Sequence, residues 1–389
     1  MIGAGIFVFP GIAAGRAGPA AAASFGIGAV IALLVALPTS ELATEMPRSG
    51  GGYYFISRGM GALFGAIVGL SLWFGLTFAS AFYPVGFGHY ATAVLAEAGV
   101  SLGAFSPVVP LALVFGVFVT VLNATGTETA AKLQNVVVGV LLVIIVAFLS
   151  FGGLSALGLI GEASAPETFA PFGTVPILTT AALVFTSCLR FAQVATVAGE
   201  TKEPGRNLPL AMVGSVVIVG ILYVATIFIA TSAFGSERLS TLGETAMVEA
   251  ARNFVGPAGA VAILIGGLLA TVSSANASIL STSRAIYAVS KDALLPRRAS
   301  LINLRYGTPH VALGMAGGPI LVFLRRDEPE WYDPAFRVPG YPVVPILGAV
   351  ASFALIGFMQ PVSQVVGLAI MVIAAGGTTI TPATLHSRG

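Results

Sequence analysis

The stretch Met1-Ile-Gly-Ala-Gly-Ile-Phe-Val-Phe-Pro-Gly11 places two glycines and a proline inside an apolar segment. Gly3 and Gly5 allow the backbone to leave helical geometry, which leaves N–H and C=O groups unpaired. In membrane proteins, such a break binds a substrate carboxylate at the N-terminus of the following half-helix, and its freed carbonyls bind cations or an amine. The alternative is close helix packing through small residues. A nucleotide-binding loop is excluded because the third glycine and the flanking strand are missing.

The composition of the chain is that of an integral membrane protein. Of the 389 residues, 56% are hydrophobic and only 9% are charged, and the mean hydropathy is +0.96. A soluble domain carries about 25% charged residues, so this chain has too few charges to cover a soluble globule. No basic stripe interleaved with aromatic residues supports a nucleic-acid partner. The lone Cys188 excludes an internal disulfide framework and a cysteine metal site.

Apolar stretches long enough to cross a hydrocarbon core of about 30 Å recur along the chain. The predicted spans are residues 20–40, 62–96, 107–122, 133–151, 175–198, 209–234, 257–289, 342–360 and 363–380. Two further apolar segments, 1–15 and 311–324, are too short for ordinary spans.

The basic residues predict the orientation of these spans. If the first segment runs outward, fourteen of the 18 Lys and Arg residues fall on the cytoplasmic side and three on the outer side, in agreement with the positive-inside rule. The sequence therefore predicts a multi-pass plasma-membrane protein with a cytoplasmic C-terminus. Basic clusters flank 311–324 on both sides, so a single crossing there conflicts with the charges. Either this segment is re-entrant, or, as we prefer, a two-helix hairpin has been lost.

The run from Phe185 to Pro209, FTSCLRFAQVATVAGETKEPGRNLP, places an arginine inside a predicted span and ends in a polar loop between two prolines. A charge at membrane depth costs about 2.5–3.5 kcal/mol on insertion scales, so Arg190 is expected to face the bundle interior or a cavity. The alternative is a structural pairing with a neighbouring helix. Because arginine stays charged, its presence at a binding cavity would disfavour cationic solutes. We therefore predict a preference for neutral or acidic substrates.

Small and polar residues mark two other segments. Gly61, Gly65 and Gly69 are spaced by four and are expected to share one helix face for close packing. The segment that begins at residue 257 contains hydroxyl and amide side chains, which either line a cation site or hydrogen-bond across helices. They are Thr271, Ser273, Ser274, Asn276 and Ser278.

Taken in chain order, the motifs resemble those of the amino acid–polyamine–organocation (APC) superfamily of permeases. The first is G-x-G-I-F at Gly3 to Phe7, and the second is E-L-x-x-x-x-P-x-S-G-G-x-Y at Glu41 to Tyr53. Five others follow: Asn123 with Gly126, Glu200 to Pro209, Ser274 to Ala288 with Asp292 to Pro296, Gly307 to Pro309, and Pro329 to Gly340. The resemblance covers almost the whole chain.

The resemblance implies an all-α polytopic membrane protein with an inverted-repeat (five-plus-five), leucine-transporter-like helical bundle, in which helices one and six are broken. Residues 1–389 would form a single permease domain. Its first repeat would cover about 1–151, an incomplete second repeat about 175–324, and two accessory helices about 342–380. Compared with the family pattern, the first half of helix one and most of helices nine and ten are missing.

The resemblance also implies the site residues. The amides around Gly3, Ala4, Gly5 and Ile6 would hold a substrate carboxylate. Carbonyls of the stretch Phe185, Thr186, Ser187, Cys188 and Leu189 would take an amine, with Phe185 as part of an aromatic gate. Arg190 stands at the sixth-helix break, where the family usually has glycine. Ser273 and Ser274 would lie where related folds place a sodium ion, and no other cofactor is implied.

The sequence therefore predicts a secondary active transporter of amino acids or related amines, with H⁺ or Na⁺ as an undetermined coupling ion. A non-transporting membrane sensor of the same fold and a defective permease fragment are the alternatives. An enzyme is not expected, because His89, His310 and His386 lie in or near separate loops and no span carries an acid–base or metal cluster. The predicted partners are a small amino acid-like molecule and the lipid bilayer.

Overall fold

The computed structural model describes residues 2–48, 50–100, 107–125, 127–159 and 168–291, together with isolated positions between 339 and 369. These residues form α-helices, short 3₁₀ turns and loops, with no strand in the described ranges. The α-helices are α1 (Gly5–Ala17), α2 (Ala21–Glu45), α3 (Gly52–Gly59), α4 (Ala62–Glu97), α5 (Val108–Thr125), α6 (Thr127–Ala156), α7 (Thr174–Cys188), α8 (Phe191–Thr196), α9 (Pro204–Ala233), α10 (Ser236–Leu242), α11 (Ala246–Val255) and α12 (Pro257–Lys291). The segment 311–324 and nearly all of the predicted spans 342–360 and 363–380 lie outside the described residues.

The helices follow the predicted spans closely, because a lipid-exposed segment must satisfy its backbone hydrogen bonds internally. Within the described ranges, four helical stretches are long and apolar enough to cross a membrane. They are Gly5–Glu45, Lys132–Ala156, Pro204–Ala233 and Pro257–Ile279. The first of these joins α1 to α2 through a 3₁₀ turn at Gly18–Ala20. The short apolar segment predicted at 1–15 thus corresponds to α1, whose C-terminal cap is Gly18 (φ +62°), before the chain enters α2.

The start of α9 differs from the prediction. We predicted a polar loop closed by Pro204 and Pro209, yet α9 already begins at Pro204 and contains Pro209. Proline suits the first position of a helix, because the N–H it lacks would have no intrahelical partner there. The Asn207 side chain donates to the carbonyl of Lys202 over 2.6 Å, which ties the preceding loop to this first turn.

The chain forms two compact units, each assembled from three separate stretches of sequence. The first contains residues 1–28, 80–187 and 219–277, and the second contains residues 29–79, 188–218 and 278–389. In the second unit, a methyl group built on Gly65 would lie 2.6 Å from Ser57, and one on Gly69 would lie 2.6 Å from the Tyr53 ring. Close packing at these two glycines is confirmed. The prediction for Gly61 is wrong, because it precedes α4 with φ +91°.

In the first unit, α1 packs tightly against the segment that carries α10 and α11. A methyl group on Gly11 would lie 1.9 Å from the carbonyl oxygen of Gly243 and 2.7 Å from the Ala246 side chain. The backbones therefore touch at this point, and only the absence of a side chain permits it. A similar approach brings α4 against α12, where the Tyr90 ring lies over Gly267.

An ion pair connects the end of α4 to α11. The Arg252 guanidinium donates to both carboxylate oxygens of Glu97, at 3.1 and 3.0 Å, and its Nε donates to Glu249 at 3.3 Å. Hydrogen bonding from Arg252 holds the pKa of Glu97 below its ordinary value. The end of α4 and helix α11 therefore lie on the same side of this unit.

Candidate functional site

The start of α1 supplies backbone donors that the helix itself does not use. The carbonyl of Gly3 accepts from the N–H of Ile6 (3.2 Å), and that of Ala4 accepts from Phe7 (3.1 Å) and Val8 (3.0 Å). Ala4 precedes the helix without a side-chain cap. The first N–H groups of a helix have no intrahelical partner, and those of Ala4 and Gly5 occupy such positions. The N–H of Ile6, which we also predicted to hold the substrate, is already bonded to Gly3.

Two hydroxyl groups from distant parts of the sequence meet the α-carbon of Gly5. A methyl group built on Gly5 would lie 2.6 Å from Ser187 Oγ and 3.0 Å from Tyr223 Oη. All three residues belong to the first unit, and both hydroxyl-bearing side chains are more than nine-tenths buried, with 8% exposure for Ser187 and 2% for Tyr223. Amide donors and hydroxyls thus converge where α1 begins. We call the contact of Gly5, Ser187 and Tyr223 the α1 junction.

Tyr223 was not among the predicted site residues. It lies in α9 within the apolar sequence ILYVAT, and its ring packs against Phe25 with the centroids 5.6 Å apart. A tyrosine in an apolar span could have been recognised from the sequence as a candidate polar residue. The sequence does not reveal, however, which neighbouring helix its hydroxyl faces. Only the packing of α9 against α1 and α2 brings it to Gly5.

The aromatic residue predicted at the site is buried. Phe185 is 1% exposed, and its α-carbon lies 3.6 Å from the position that a methyl group on Gly28 would take. Gly28 therefore lets α2 approach α7 directly behind Phe185. The role of Phe185 as a gate remains a prediction, and the side chain of Thr186 lies outside the described residues.

The predicted break in helix six is confirmed in the second unit. Helix α7 ends at Cys188, Leu189 and Arg190 form a turn, and α8 begins at Phe191. The carbonyls of Leu189 and Arg190 accept from the N–H groups three residues later, at Ala192 and Gln193, each over 3.0 Å. Arg190 has φ −63° and ψ −15°, a conformation open to any residue. The backbone at this position therefore accommodates arginine without strain.

The serines predicted as cation ligands take part in hydrogen bonds within the first unit. Gln134 of α6 donates to Ser273 Oγ over 2.5 Å and accepts from Asn276 over 3.1 Å. Ser274 donates to the carbonyl of Ala270 over 2.7 Å. These hydrogen bonds are compatible with both interpretations of the segment. They connect α12 to α6, and a hydroxyl oxygen that accepts one hydrogen bond keeps a second lone pair that can bind a cation.

Apolar helices of membrane-spanning length and a broken sixth helix define a multi-pass helical membrane protein. A family model for amino acid permeases matches residues 1–324. The chain belongs to this family, and the predicted APC membership and fold class are confirmed.

Named relatives agree with this assignment. The chain is 27% identical to the methylthioribose transporter of Bacillus subtilis, over 98% of this chain and 89% of the relative. It is 26% identical to the branched-chain amino acid permease BcaP of the same species, over 89% and 82%. It is 29% identical to the vacuolar cationic amino acid transporter 4 of Arabidopsis thaliana, over 83% and 56%. Membership in a permease family favours transport over the sensor and fragment alternatives.

Proposed function

We propose that the protein is a secondary active transporter that moves amino acids or closely related amines across the plasma membrane. Residues 1–389 act as a single permease domain with two repeats, at about 1–151 and 175–324, two accessory helices at about 342–380, and a cytoplasmic C-terminus. The α1 junction is the observation that carries the proposal. There, backbone donors that have no intrahelical partner and two buried hydroxyls meet at a residue without a side chain.

The roles of the site residues follow from their chemistry. A carboxylate accepts hydrogen bonds from helix N-terminal amides and is favoured there by the helix dipole. Ala4 and Gly5 are the donors that we favour, since the N–H of Ile6 already bonds to Gly3. Carbonyl oxygens at the end of α7, from Phe185 to Leu189, accept from a substrate amine. Phe185 closes over the bound molecule, and Gly3 permits the bend that exposes the amides.

The first experiment measures uptake of labelled leucine, glutamate and lysine into proteoliposomes. We expect leucine or glutamate to enter at least about fivefold faster than lysine. The reason is that like charges about 4 Å apart repel by about 1 kcal/mol even in water, and by more in a less polar cavity. Arg190→Ala should reduce the difference in uptake rate between lysine and the other two amino acids, because it removes the repelling charge. Alanine fits at this position because the backbone does not require glycine.

The matched control is Arg206→Ala, which removes an exposed arginine near the start of α9. It should leave the order of substrates unchanged. A full panel of amino acids and polyamines should also be tested. If none of them enters faster than it enters empty liposomes, the assignment as a transporter is wrong. Equal lysine uptake by the wild type and Arg190→Ala would show that Arg190 faces away from the site.

A second experiment tests Ser273 and Ser274 as cation ligands. If they hold Na⁺, exchanging sodium for choline at constant pH should lower uptake about tenfold or more, which corresponds to about 1.4 kcal/mol. Ser274→Ala should show the same low uptake with either salt. Thr282→Ala, two turns further along α12, serves as the control, because the Thr282 hydroxyl donates to the carbonyl of Ser278 and is not a predicted cation ligand; this variant should keep the wild-type response. Uptake that does not depend on sodium would leave these serines with a purely structural role.

A further inference from the structure

The loop between α2 and α3 caps the short helix α8, which follows the sixth-helix break. The last carbonyls of a helix have no intrahelical partner. In α8, the carbonyls of Val194 and Ala195 accept from the N–H of Val197, within the same stretch of chain. The carbonyl of Thr196 accepts instead from the N–H of Gly50, over 3.2 Å. A distant loop therefore completes the cap of α8.

The backbones of this loop and of α8 are in contact at Gly51. A methyl group built on Gly51 would lie 3.1 Å from the backbone nitrogen of Thr196 and 3.2 Å from the carbonyl carbon of Ala195. Gly51 has φ +52° and ψ −129°, a conformation that glycine adopts at little cost. On its other side, the loop is supported by α12, because a methyl group on Gly50 would lie 2.6 Å from the Ala288 side chain. A side chain at position 51 would therefore displace α8.

A displacement of α8 reaches the break directly. Arg190 is the N-cap residue of α8, and α7 ends two residues earlier at Cys188. The six residues of α8 extend over about 9 Å, so a shift at the Thr196 end is transmitted to Arg190 within two turns of helix. Gly51, α8 and Arg190 all belong to the second unit.

We propose that Gly51 is a positioning residue that acts through α8: it holds the sixth-helix break in place and thereby fixes the position of the Arg190 charge. Loss of this contact moves the charge and weakens the discrimination against cationic solutes. The part that concerns the break depends only on contacts within the second unit. The part that concerns solutes rests on the proposed function, in which Arg190 repels cationic solutes.

The test uses Cys188, the only cysteine in the chain and 2% exposed, as a reporter of the break. Its rate of alkylation by N-ethylmaleimide is measured by peptide mass spectrometry in the purified full-length wild type, Gly51→Ala and Thr196→Ser. Thr196→Ser removes the methyl group beside Gly51 and keeps the hydroxyl, which donates to the chain three residues earlier.

Two controls accompany these variants. Gly61→Ala is the matched control, because Gly61 also has a positive φ, +91°, but no atom lies within 4 Å of the added methyl group. Ser155→Cys, at a position of the first unit that is 2% exposed, is added to every protein as a second reporter. A general loosening of the fold accelerates alkylation at both reporters, whereas a shift of α8 accelerates it only at Cys188.

We expect Gly51→Ala to raise the alkylation rate of Cys188 at least about fivefold through local opening, with an unchanged rate at position 155. Thr196→Ser should raise it by a smaller factor, and it decides the question if Gly51→Ala does not fold. Gly61→Ala should stay within about twofold of the wild type at both reporters. A wild-type rate at Cys188 in Gly51→Ala, or equal acceleration at both reporters, overturns the inference.

Uptake by the same proteins in proteoliposomes tests the effect on solutes. In Gly51→Ala, lysine uptake relative to leucine should rise at least about threefold, because repulsion by the Arg190 charge falls with distance. In Gly61→Ala this ratio should not change. Faster alkylation of Cys188 with an unchanged ratio overturns the role in solute selection and supports the role in holding the break. If the wild type takes up no amino acid, the proposed function fails, and the alkylation rates still decide whether Gly51 positions the break.

Discussion

Replacing Gly5 by alanine should lower leucine uptake at least about tenfold, which corresponds to about 1.4 kcal/mol of lost binding, with little change in Tm. The added methyl group would lie 2.6 Å from Ser187 Oγ and 3.0 Å from Tyr223 Oη, so it takes the space into which both hydroxyls converge. A serine side chain can rotate away, and alanine favours a helix over glycine by about 1 kcal/mol. The fold is therefore expected to survive while the site is lost. Uptake per folded molecule in proteoliposomes and Tm in detergent measure the two effects.

The control for this change is Gly26→Ala in α2. The nearest atom to its added methyl group is a methyl of Val224 at 4.0 Å, an ordinary contact, so both uptake and Tm should remain near the wild-type values. Wild-type uptake by Gly5→Ala would show that the α1 junction is a packing contact and not a binding site.

The largest loss of stability is expected for Gly11→Ala. Its methyl group would meet the backbone of the 3₁₀ turn Gly243–Thr245, 1.9 Å from the carbonyl oxygen and 2.8 Å from the carbonyl carbon of Gly243. No side-chain rotation relieves such a contact, so α1 and the turn must separate. Overpacking of this kind costs about 1–3 kcal/mol and occasionally more, which exceeds the gain in helix propensity. The expected result is a lower Tm and less folded protein in the membrane fraction.

Gly15→Ala provides a control on the same helix, one turn further along. Its methyl group would lie 3.3 Å from the Ser240 side chain, a tight contact that a small shift relieves. Its Tm should therefore stay well above that of Gly11→Ala. Equal Tm values for the two variants would contradict the close backbone contact between α1 and Gly243.

The sequence predicted the positions of the helices better than their contacts. The spans at 62–96 and 257–289 coincide with α4 and α12 to within two residues, because helix formation in a membrane depends on a local run of apolar residues whose backbone is satisfied internally. The break after Cys188 was also predictable from the family motif. The predicted start of α9, at residue 209, was five residues too late. The sequence alone does not distinguish a proline in a polar loop from a proline at the first position of a helix.

By itself, the sequence determined that this protein spans a membrane through many apolar helices and belongs with the amino acid permeases. Only the tertiary structure decided that Ser187 and Tyr223 meet Gly5, that Gly11 touches Gly243, and that Gln134 bonds to Ser273. The physical reason is that a helix is specified by residues three and four positions apart. Contacts between residues 5, 187 and 223 depend instead on the rotation and axial offset of three helices, which side-chain packing sets only when the helices come together.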